Sequence, residues 1–297
     1  MKQKVLSGIR YLCYHGYLKW LPNEAYIKLL FYGTFGKCAN LKSPQNYNEK
    51  LQWLKLHAMK PEYQDLVDKY EVKKYVTAMI GEEYVIPTLA IWNNVDEIDF
   101  EELPDQFVLK TTHDSGSVVI CRHKKNFNKE AAIKILRQSM KKNYYDVCRE
   151  PQYKNIVPRI IAESYIAPQD CVDIDDYKMM CFNGKFDNVM ICSGRHSDRG
   201  IRYYHFDKNW KFLPYVYYDD LDEMDFVNLR PQNYDEMIKI ANALCKGFPH
   251  IRVDLYNVNG KIYFGELTFF QAGGFDDDLT EEAKNILGSK ILLPENT

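Results

Sequence analysis

Nowhere in the 297 residues do two cysteines form a C-x-x-C pair. The eight cysteines, at positions 13, 38, 121, 148, 171, 181, 192 and 245, are dispersed, so neither a zinc knuckle nor a thioredoxin-type site is indicated. Free thiols in a reducing cytoplasm are the simplest account. No apolar run approaches the length that spans a bilayer. Residues 1–21 also lack the apolar core and small-residue cleavage site of a signal peptide. Net charge is only -2, whereas a bulk electrostatic binder of nucleic acid would normally be basic, so no nucleic-acid partner is expected. There is no βαβ opening, no internal repeat and no low-complexity tract.

Apolar residues make up 46% of the chain, enough for a substantial core and more than one lobe. The 23 tyrosines are an excess that suits half-buried packing or sugar stacking. In residues 1–21, Val5, Leu6, Ile9 and Cys13 recur at helical spacing. That segment reads as a helix packed on the body; its Lys2, Lys4, Arg10 and Lys19 would also suit peripheral contact with an anionic membrane surface.

Residues 1–65 read as helical, with breaks near Pro22, Gly33 to Gly36 and Pro44. A helix is predicted over 65–79, a short strand over 84–87, strands over 107–110 and 118–121, and an amphipathic helix over 128–142. Residues 160–166 are strand-like, 177–182 and 186–193 form a hairpin around Asn183-Gly184, 202–206 is a strand, and 234–246 a helix. The pattern is α+β, two lobes of mixed or antiparallel sheet backed by helices. It divides into a helical segment 1–65, a small lobe 66–160 and a large lobe 161–297, with the junction near Glu163.

Two apolar-rich runs joined at Asn259-Gly260 make residues 252–268 a hairpin, with Asp254 on one run and Glu266 on the other. A three-residue loop with Gly260 left-handed would project Arg252, Asp254, Glu266 and Thr268 from one face. A two-residue Asn-Gly turn would put the carboxylates on opposite faces. On one face, two carboxylates and an arginine suit a divalent cation and a developing negative charge. Otherwise they are satisfied polar groups of a plain hairpin.

Upstream, Lys110 ends a strand, His113-Asp114-Ser115-Gly116-Ser117 follow, and Val118 resumes a strand. Glycine lets backbone N–H groups approach an anion, serine hydroxyls donate, and lysine supplies compact charge. It is not a Walker A loop, because no Gly-Lys-Ser/Thr follows and no helix begins there. An ordinary hairpin turn is the alternative.

Four pieces, in register over residues 65–275, resemble the ATP-grasp enzymes. They are Asp68-Lys69-Tyr70-Glu71-Val72-Lys73, Lys110 to Val119, Glu163-Ser164-Tyr165-Ile166, and the hairpin running from Arg252-x-Asp to Glu266-x-Thr. The second and fourth are similar to the phosphate loop and magnesium hairpin of D-alanine–D-alanine ligases. Lys110-Thr-Thr-His-Asp-Ser-Gly-Ser, Asp176-Tyr177-Lys178 and Gly265-Glu-Leu-Thr-Phe further resemble the ATP-grasp subfamily of teichuronopeptide and capsular polysaccharide synthesis.

The resemblance implies an ATP-grasp fold of two α+β lobes clamping ATP, preceded here by a short helical segment instead of a Rossmann-like domain. It implies an ATP- and Mg2+-dependent carboxylate–amine ligase working through an acyl phosphate. Lys69, Lys110, Ser115, Gly116, Ser117 and Val118 would serve the phosphates, and Glu163, Ser164, Tyr165 and Ile166 the adenine. Asp170 or Asp173 would meet the ribose. Asp254, Glu266 and Thr268 would hold the metal, although many relatives carry asparagine where Thr268 stands. Lys178 would contact the γ-phosphate, with a salt bridge to Asp176 as its plainer role, and Arg252 would stabilise an oxyanion.

Arg195, His196, Arg199 and Arg202 suit a carboxylate on the acceptor, or form a solvated loop. Gly273 and Gly274 would let backbone approach the acceptor, or turn the chain. Asp276-Asp277-Asp278 looks like a solvated helix start. The expected partners are an amino acid or other amine and a uronic-acid-containing sugar, nucleotide sugar or lipid-linked glycan. The expected place is the cytoplasm or the inner face of its membrane. An ATP-grasp sugar kinase, a glycosyltransferase and a non-catalytic nucleotide-binding module are the competing readings.

Overall fold

The computed structural model describes residues 2–167, 174, 176–193, 200–221, 226 and 229–294. Helices α1 (Lys2–Tyr14), α2 (Asn23–Phe35) and α3 (Tyr47–His57) open it, separated at the breaks read from sequence. Asn46 caps α3 by accepting from Glu49 N–H, and Glu49 in turn takes the amides of Asn40 and Gln45. α1 and α2 share a small core around Cys13, Tyr26, Ile27 and Phe31. α3 belongs to the main core instead, where Tyr47, Leu51 and Leu54 pack with Met179, Ile251 and Val253.

The helix expected over 65–79 is two, α4 (Tyr63–Val67) and α5 (Val72–Ile80). Asp68 breaks it, because its carboxylate accepts the amides of Tyr70 and Glu71 and starts a new helix. Residues 84–87 are not a strand. Pro87 cannot donate to a ladder, so β1 (Thr88–Trp92) begins after it.

The first sheet is antiparallel, in the order β1-β4-β2-β3, with β2 (Phe107–Thr111), β3 (Val119–Cys121) and β4 (Ile160–Ser164). Helix α6 (Lys129–Ser139) covers one face, burying Leu136 against Phe107, Leu109 and Ile160. The short α7 (Tyr145–Cys148) lies in the connection to β4.

The second sheet runs β10-β9-β5-β6-β7-β8, built from β5 (Asp176–Phe182), β6 (Lys185–Ser193), β7 (Arg202–Asp207), β8 (Phe212–Leu213), β9 (His250–Val258) and β10 (Lys261–Thr268). Helices α8 (Tyr234–Leu244) and α9 (Glu281–Lys290) complete its packing. No helix among the described residues is long and apolar enough to cross a membrane.

The β9–β10 turn is the two-residue one. Asn259 and Gly260 both have positive φ, 53° and 81°, and Lys261 pairs with Val258, as a primed turn requires. That register alone would separate the carboxylates. A bulge between Phe264 and Glu266 absorbs Gly265 and shifts the pairing by one, so Glu266 lies opposite Asp254 and Thr268 opposite Arg252. The shared face expected from a three-residue loop comes from the bulge instead.

Candidate active site

Three chambers that share wall residues lie along the second sheet, the first two of them between it and the first sheet. The first, of about 320 Å3, is walled by Ile86, Val108, Val118, Ile120, Ile166 and Tyr256 among others. It is an apolar slot of a shape suited to a planar base. Ser164, Tyr165 and Ile166 line it where the chain leaves β4. Ser164 N–H is spent on Pro87 O, at 3.0 Å.

The second chamber, of about 210 Å3, is the charged one. Lys69, Lys73, Lys110 and Lys178 line it together with Glu163, Asp176, Asp254 and Glu266, and Ser115, Gly116 and Val118 form its lid. Gly116 has φ +93°, a backbone that L side chains avoid, and nothing stands within 4 Å of the Cβ it lacks. Glu163 is buried and fully engaged: Lys73 Nζ is 2.6 Å from Oε1 and Lys110 Nζ 2.7 Å from Oε2. Burial would raise its carboxyl, but Lys110 and Lys73 outweigh burial and hold it below the ordinary range. Glu163 therefore holds two lysines in place, where the sequence had assigned it to the adenine amino group. Lys73 Nζ also bonds Ile86 O and Thr88 Oγ1, at 2.8 and 2.6 Å.

Beneath the lid sits a second anchored carboxylate. Asp114 accepts from Thr111 and Ser117 hydroxyls at 2.5 and 2.6 Å and also from Ser139, and Lys69 Nζ lies 3.8 Å away. Lys69 also donates to Asp114 O. Ser117 is therefore turned inward, where Thr111 N–H donates to its hydroxyl at 3.1 Å. It shapes the loop instead of covering a ligand, which corrects its predicted role. Ser115 and Gly116 remain exposed at the chamber wall.

On the floor, Arg252 donates through Nε to Asp254 Oδ1 at 2.6 Å and through Nη2 to Asp254 Oδ2 at 2.7 Å. Lys178 reaches Asp254 Oδ2 at 2.7 Å and Asp176 Oδ2 at 2.5 Å, so the plainer salt bridge is present too. Burial pushes Asp254 up, but Arg252 and Lys178 keep it below the ordinary range. Arg252 Nη2 also lies 3.3 Å from Glu266 Oε1 and 3.1 Å from Thr268 Oγ1, and Thr268 donates to Glu266 at 3.1 Å.

Glu266 Oε2 has no partner among the described residues, and the side chain is about half exposed. Among the described residues no three His, Cys, Asp or Glu side chains converge as a self-sufficient metal cage. Two hard carboxylates facing a lysine-lined chamber nonetheless fit magnesium, which commonly takes one or two carboxylates and completes its shell with substrate phosphates and water.

Lys178 also forms part of the wall of the third chamber, of about 230 Å3, with Arg252 beside it and Met190, Tyr203, His205, Gln271, Asp276 and Asp278 beyond. Its far end is made of acceptors. Asn188 Nδ2 donates to Asp187, so Asn188 Oδ1 accepts from His205 Nδ1–H at 3.3 Å, leaving His205 Nε2 as a buried acceptor without a partner among the described residues. Burial drives His205 down to about 3, so the ring is neutral. Gln271 Nε2 donates to Asp276 Oδ2 at 2.5 Å, and its buried Oε1 has no partner among the described residues. Asp276 is itself buried, which raises its carboxyl. It is no solvated helix start: α9 begins at Glu281, capped by Thr280.

Gly273 and Gly274 do not line this chamber. They pack on α3, with Lys55 Nζ bonding Gly273 O at 2.6 Å and Gln52 Nε2 bonding Gly274 O at 2.7 Å. A Cβ would lie 2.6 Å from Cys148 at Gly273 and 2.5 Å from Gln52 at Gly274, so their smallness serves packing. Arg202 is paired with Asp220 at 2.5 Å and stacked over Tyr218. Asp170, Asp173, Arg195, His196 and Arg199 lie outside the described residues.

Sequence reasoning left out Lys73, Asp176, Tyr256, His205, Gln271 and Asp276 as site residues. Lys73 was visible as the second lysine of its own motif. Asp176 was visible beside Lys178 in its motif, whereas Tyr256, His205 and the Gln271–Asp276 turn come from separate parts of the chain that no local pattern joins.

A family model described as TupA-like ATPgrasp matches residues 49–292. No curated protein matches the chain. Among solved structures, D-alanine–D-alanine ligase from Bacillus anthracis complexed with ATP aligns at a TM-score of 0.44 and 14% identity, over 84% of this chain and 68% of that one. The ATP-grasp ligase PsnB complexed with minimal precursor aligns at 0.41 and 10%, over 78% and 61%. The D-cycloserine synthetase DcsG aligns at 0.40 and 13%, over 77% and 70%.

Proposed function

The chain belongs to the TupA-like ATP-grasp family, and from that premise we propose that it is an ATP- and magnesium-dependent carboxylate–amine ligase. Its substrates on this reading are an amino acid, or another primary amine, and a uronic-acid-containing precursor of a cell-surface polysaccharide. The observation that carries the reading is the order of the chambers: apolar slot, lysine-lined chamber, Arg252–Lys178 junction, then a pocket ending in buried acceptors.

Adenine occupies the apolar slot. Lys69, Lys73 and Lys110 neutralise the phosphates, with the backbone of Ser115 and Gly116 closing over them. Asp254 and Glu266 hold magnesium, which supplies charge neutralisation as the phosphoryl group moves. The carboxylate substrate sits at Lys178 and Arg252. Its oxygen attacks the γ-phosphorus, the bond to the β-phosphate oxygen breaks, and ADP leaves with that electron pair. The ammonium gives one proton to a carboxylate at the far end of the third chamber, and the resulting amine attacks the acyl carbon. Arg252 stabilises the oxyanion; inorganic phosphate then departs with the bonding pair and takes up the second amine proton.

The far end of the third chamber supports an amine over other nucleophiles. His205 Nε2, Gln271 Oε1 and the Asp276 and Asp278 carboxylates offer acceptors, and a primary ammonium brings three donors. A buried acceptor left unpaired costs about 1–3 kcal/mol, so such an end selects a donor-rich group.

Phosphorus NMR of the protein with magnesium-ATP, mixed amino acids and a panel of uronic acids tests the reading. ADP and free phosphate should appear only when acid and amine are both present. ADP with a phosphorylated sugar would replace the ligase with a kinase.

A further inference from the structure

Between Lys2 and Pro22 stand Lys2, Lys4, Arg10 and Lys19 and no acidic residue; as the whole chain carries -2, everything after this segment carries -6. The segment is thus basic beside an acidic remainder, with Lys4 on the outward face of α1 and Lys2 and Lys19 exposed toward the segment's two ends. α1 uses Ile9 and Cys13 to pack on α2. Its opposite face presents Lys4, Val5, Tyr11, Leu12 and His15 outward.

The turn that follows adds Tyr17, 59% exposed, and Trp20, 74% exposed. Tyr11 stacks on His15 with ring centroids 3.9 Å apart and lies 6.3 Å from Tyr17, so these three rings form one patch. Lys2, Lys4 and Lys19 have no acidic partner among the described residues. A large indole left this open is unusual for a residue whose only role is packing. Trp and Tyr rings favour a boundary between apolar and aqueous phases, and lysines beside them meet anionic headgroups.

We propose that this face docks the protein on an anionic lipid bilayer, with α1 lying along the surface, Tyr11, Tyr17 and Trp20 at headgroup level, and Lys2, Lys4 and Lys19 against the phosphates. The platform contacts the segment that carries two of the third chamber's wall residues, and the end of α7. Arg10 Nη1 lies 4.0 Å from Asp277 Oδ2, between the wall residues Asp276 and Asp278, and Arg149 Nη2 bonds Lys19 O at 2.5 Å. Docking would thus hold the chamber near a membrane-borne acceptor. That consequence rests on the ligase reading; the docking does not.

Flotation of the whole chain with phosphatidylcholine vesicles, with and without phosphatidylglycerol, tests it. The protein should float with the anionic vesicles only and be released by salt. Trp20 emission should shift to the blue and be quenched by brominated lipid. Lys2→Glu, Lys4→Glu and Lys19→Glu combined should lower vesicle affinity at least about a hundredfold, since each lysine contributes about fivefold at such a surface. Trp20→Phe should abolish the emission shift, and circular dichroism should match the parent in both variants. The proposal is overturned if the folded parent stays with the sediment, if the triple variant floats like the parent, if Trp20 emission does not move, or if only a soluble protein binds this face.

Discussion

Glu266 stands directly across the β9–β10 ladder from Asp254, and it does so only because Gly265 is looped out between Phe264 and Glu266. One carboxylate of the pair is held by Arg252 and Lys178; the other lines the lysine-rich chamber and has one oxygen without a partner among the described residues. Replacing Glu266 with alanine should leave the fold intact, because its side chain is half exposed. ATP turnover should fall at least about a hundredfold, since a bound metal supplies several kcal/mol of charge stabilisation. Titrating activity against magnesium decides it. Near-normal turnover in the variant would remove the metal assignment.

Glu163 holds Lys73 and Lys110 at 2.6 and 2.7 Å, so its ionised form is part of the folded state. Those lysines, working against burial, keep its carboxyl below the ordinary range. A group whose folded pKa is depressed stabilises above its unfolded pKa and loses that contribution as pH falls through the folded value. Glu163→Gln should destabilise by roughly 3 kcal/mol at neutral pH, because it leaves buried lysines short of a charge partner. Melting curves from neutral to acid pH should show parent and variant converging as the carboxylate protonates. Parallel curves would mean that Glu163 is not ionised in the fold.

Much of this arrangement was legible before the structure because local chemistry wrote it. The Asn183-Gly184 hairpin, the strands 107–110 and 202–206, and the helices broken at Pro22 and Pro44 each rest on turn residues or periodicity that act over a few positions. The helix break at Asp68 was missed, because a side chain taking two amides cannot be told from an ordinary helical aspartate by spacing. The β9–β10 register was missed for a different reason. A bulge depends on the core packing of Phe264 and Leu267, and the turn residues say nothing of it. The third chamber was beyond reach altogether: His205, Gln271 and Asp276 meet only through the second sheet and the turn after β10. Gly273 and Gly274, read as approaching the acceptor or turning the chain, do turn it, with φ of +60° and +75°, and the packing against Cys148 and Gln52 that also excludes a Cβ there was not legible.

Gln271 offers the third chamber a buried oxygen with no partner among the described residues, while its amide nitrogen is committed to Asp276. Gln271→Leu keeps bulk and removes that oxygen. The KM for the amine should rise about tenfold or more, as expected for a lost hydrogen bond to a charged group, with the KM for ATP unchanged. Steady-state kinetics varying each substrate separates the two. An equal rise in both would place Gln271 in the architecture of the cleft, not in amine recognition.

Glu150 and Lys55 are buried near each other beneath the Gly273 turn, yet neither bonds the other directly. Lys55 donates to Gln52 Oε1 and Cys148 O, both at 2.8 Å, and to Gly273 O at 2.6 Å, while Gln152 Nε2 serves Glu150 at 2.8 Å. Burial pushes the Glu150 carboxyl up to about 7. A carboxyl raised in the fold gives stability that is complete below its unfolded pKa and is lost as pH rises through the folded one. Burial pushes Lys55 down to about 8, so the folded state sheds that proton before the unfolded chain does, and stability recovers above that pH. The pair should therefore leave a shallow stability minimum between those two values. Glu150→Gln keeps the acceptor for Gln152 and removes the titration. Its melting temperature should match the parent near pH 4 and exceed it near pH 8, by roughly 2 kcal/mol of stability. A variant less stable than the parent at both ends would show that Glu150 is ionised and favourably paired with Lys55 in the fold.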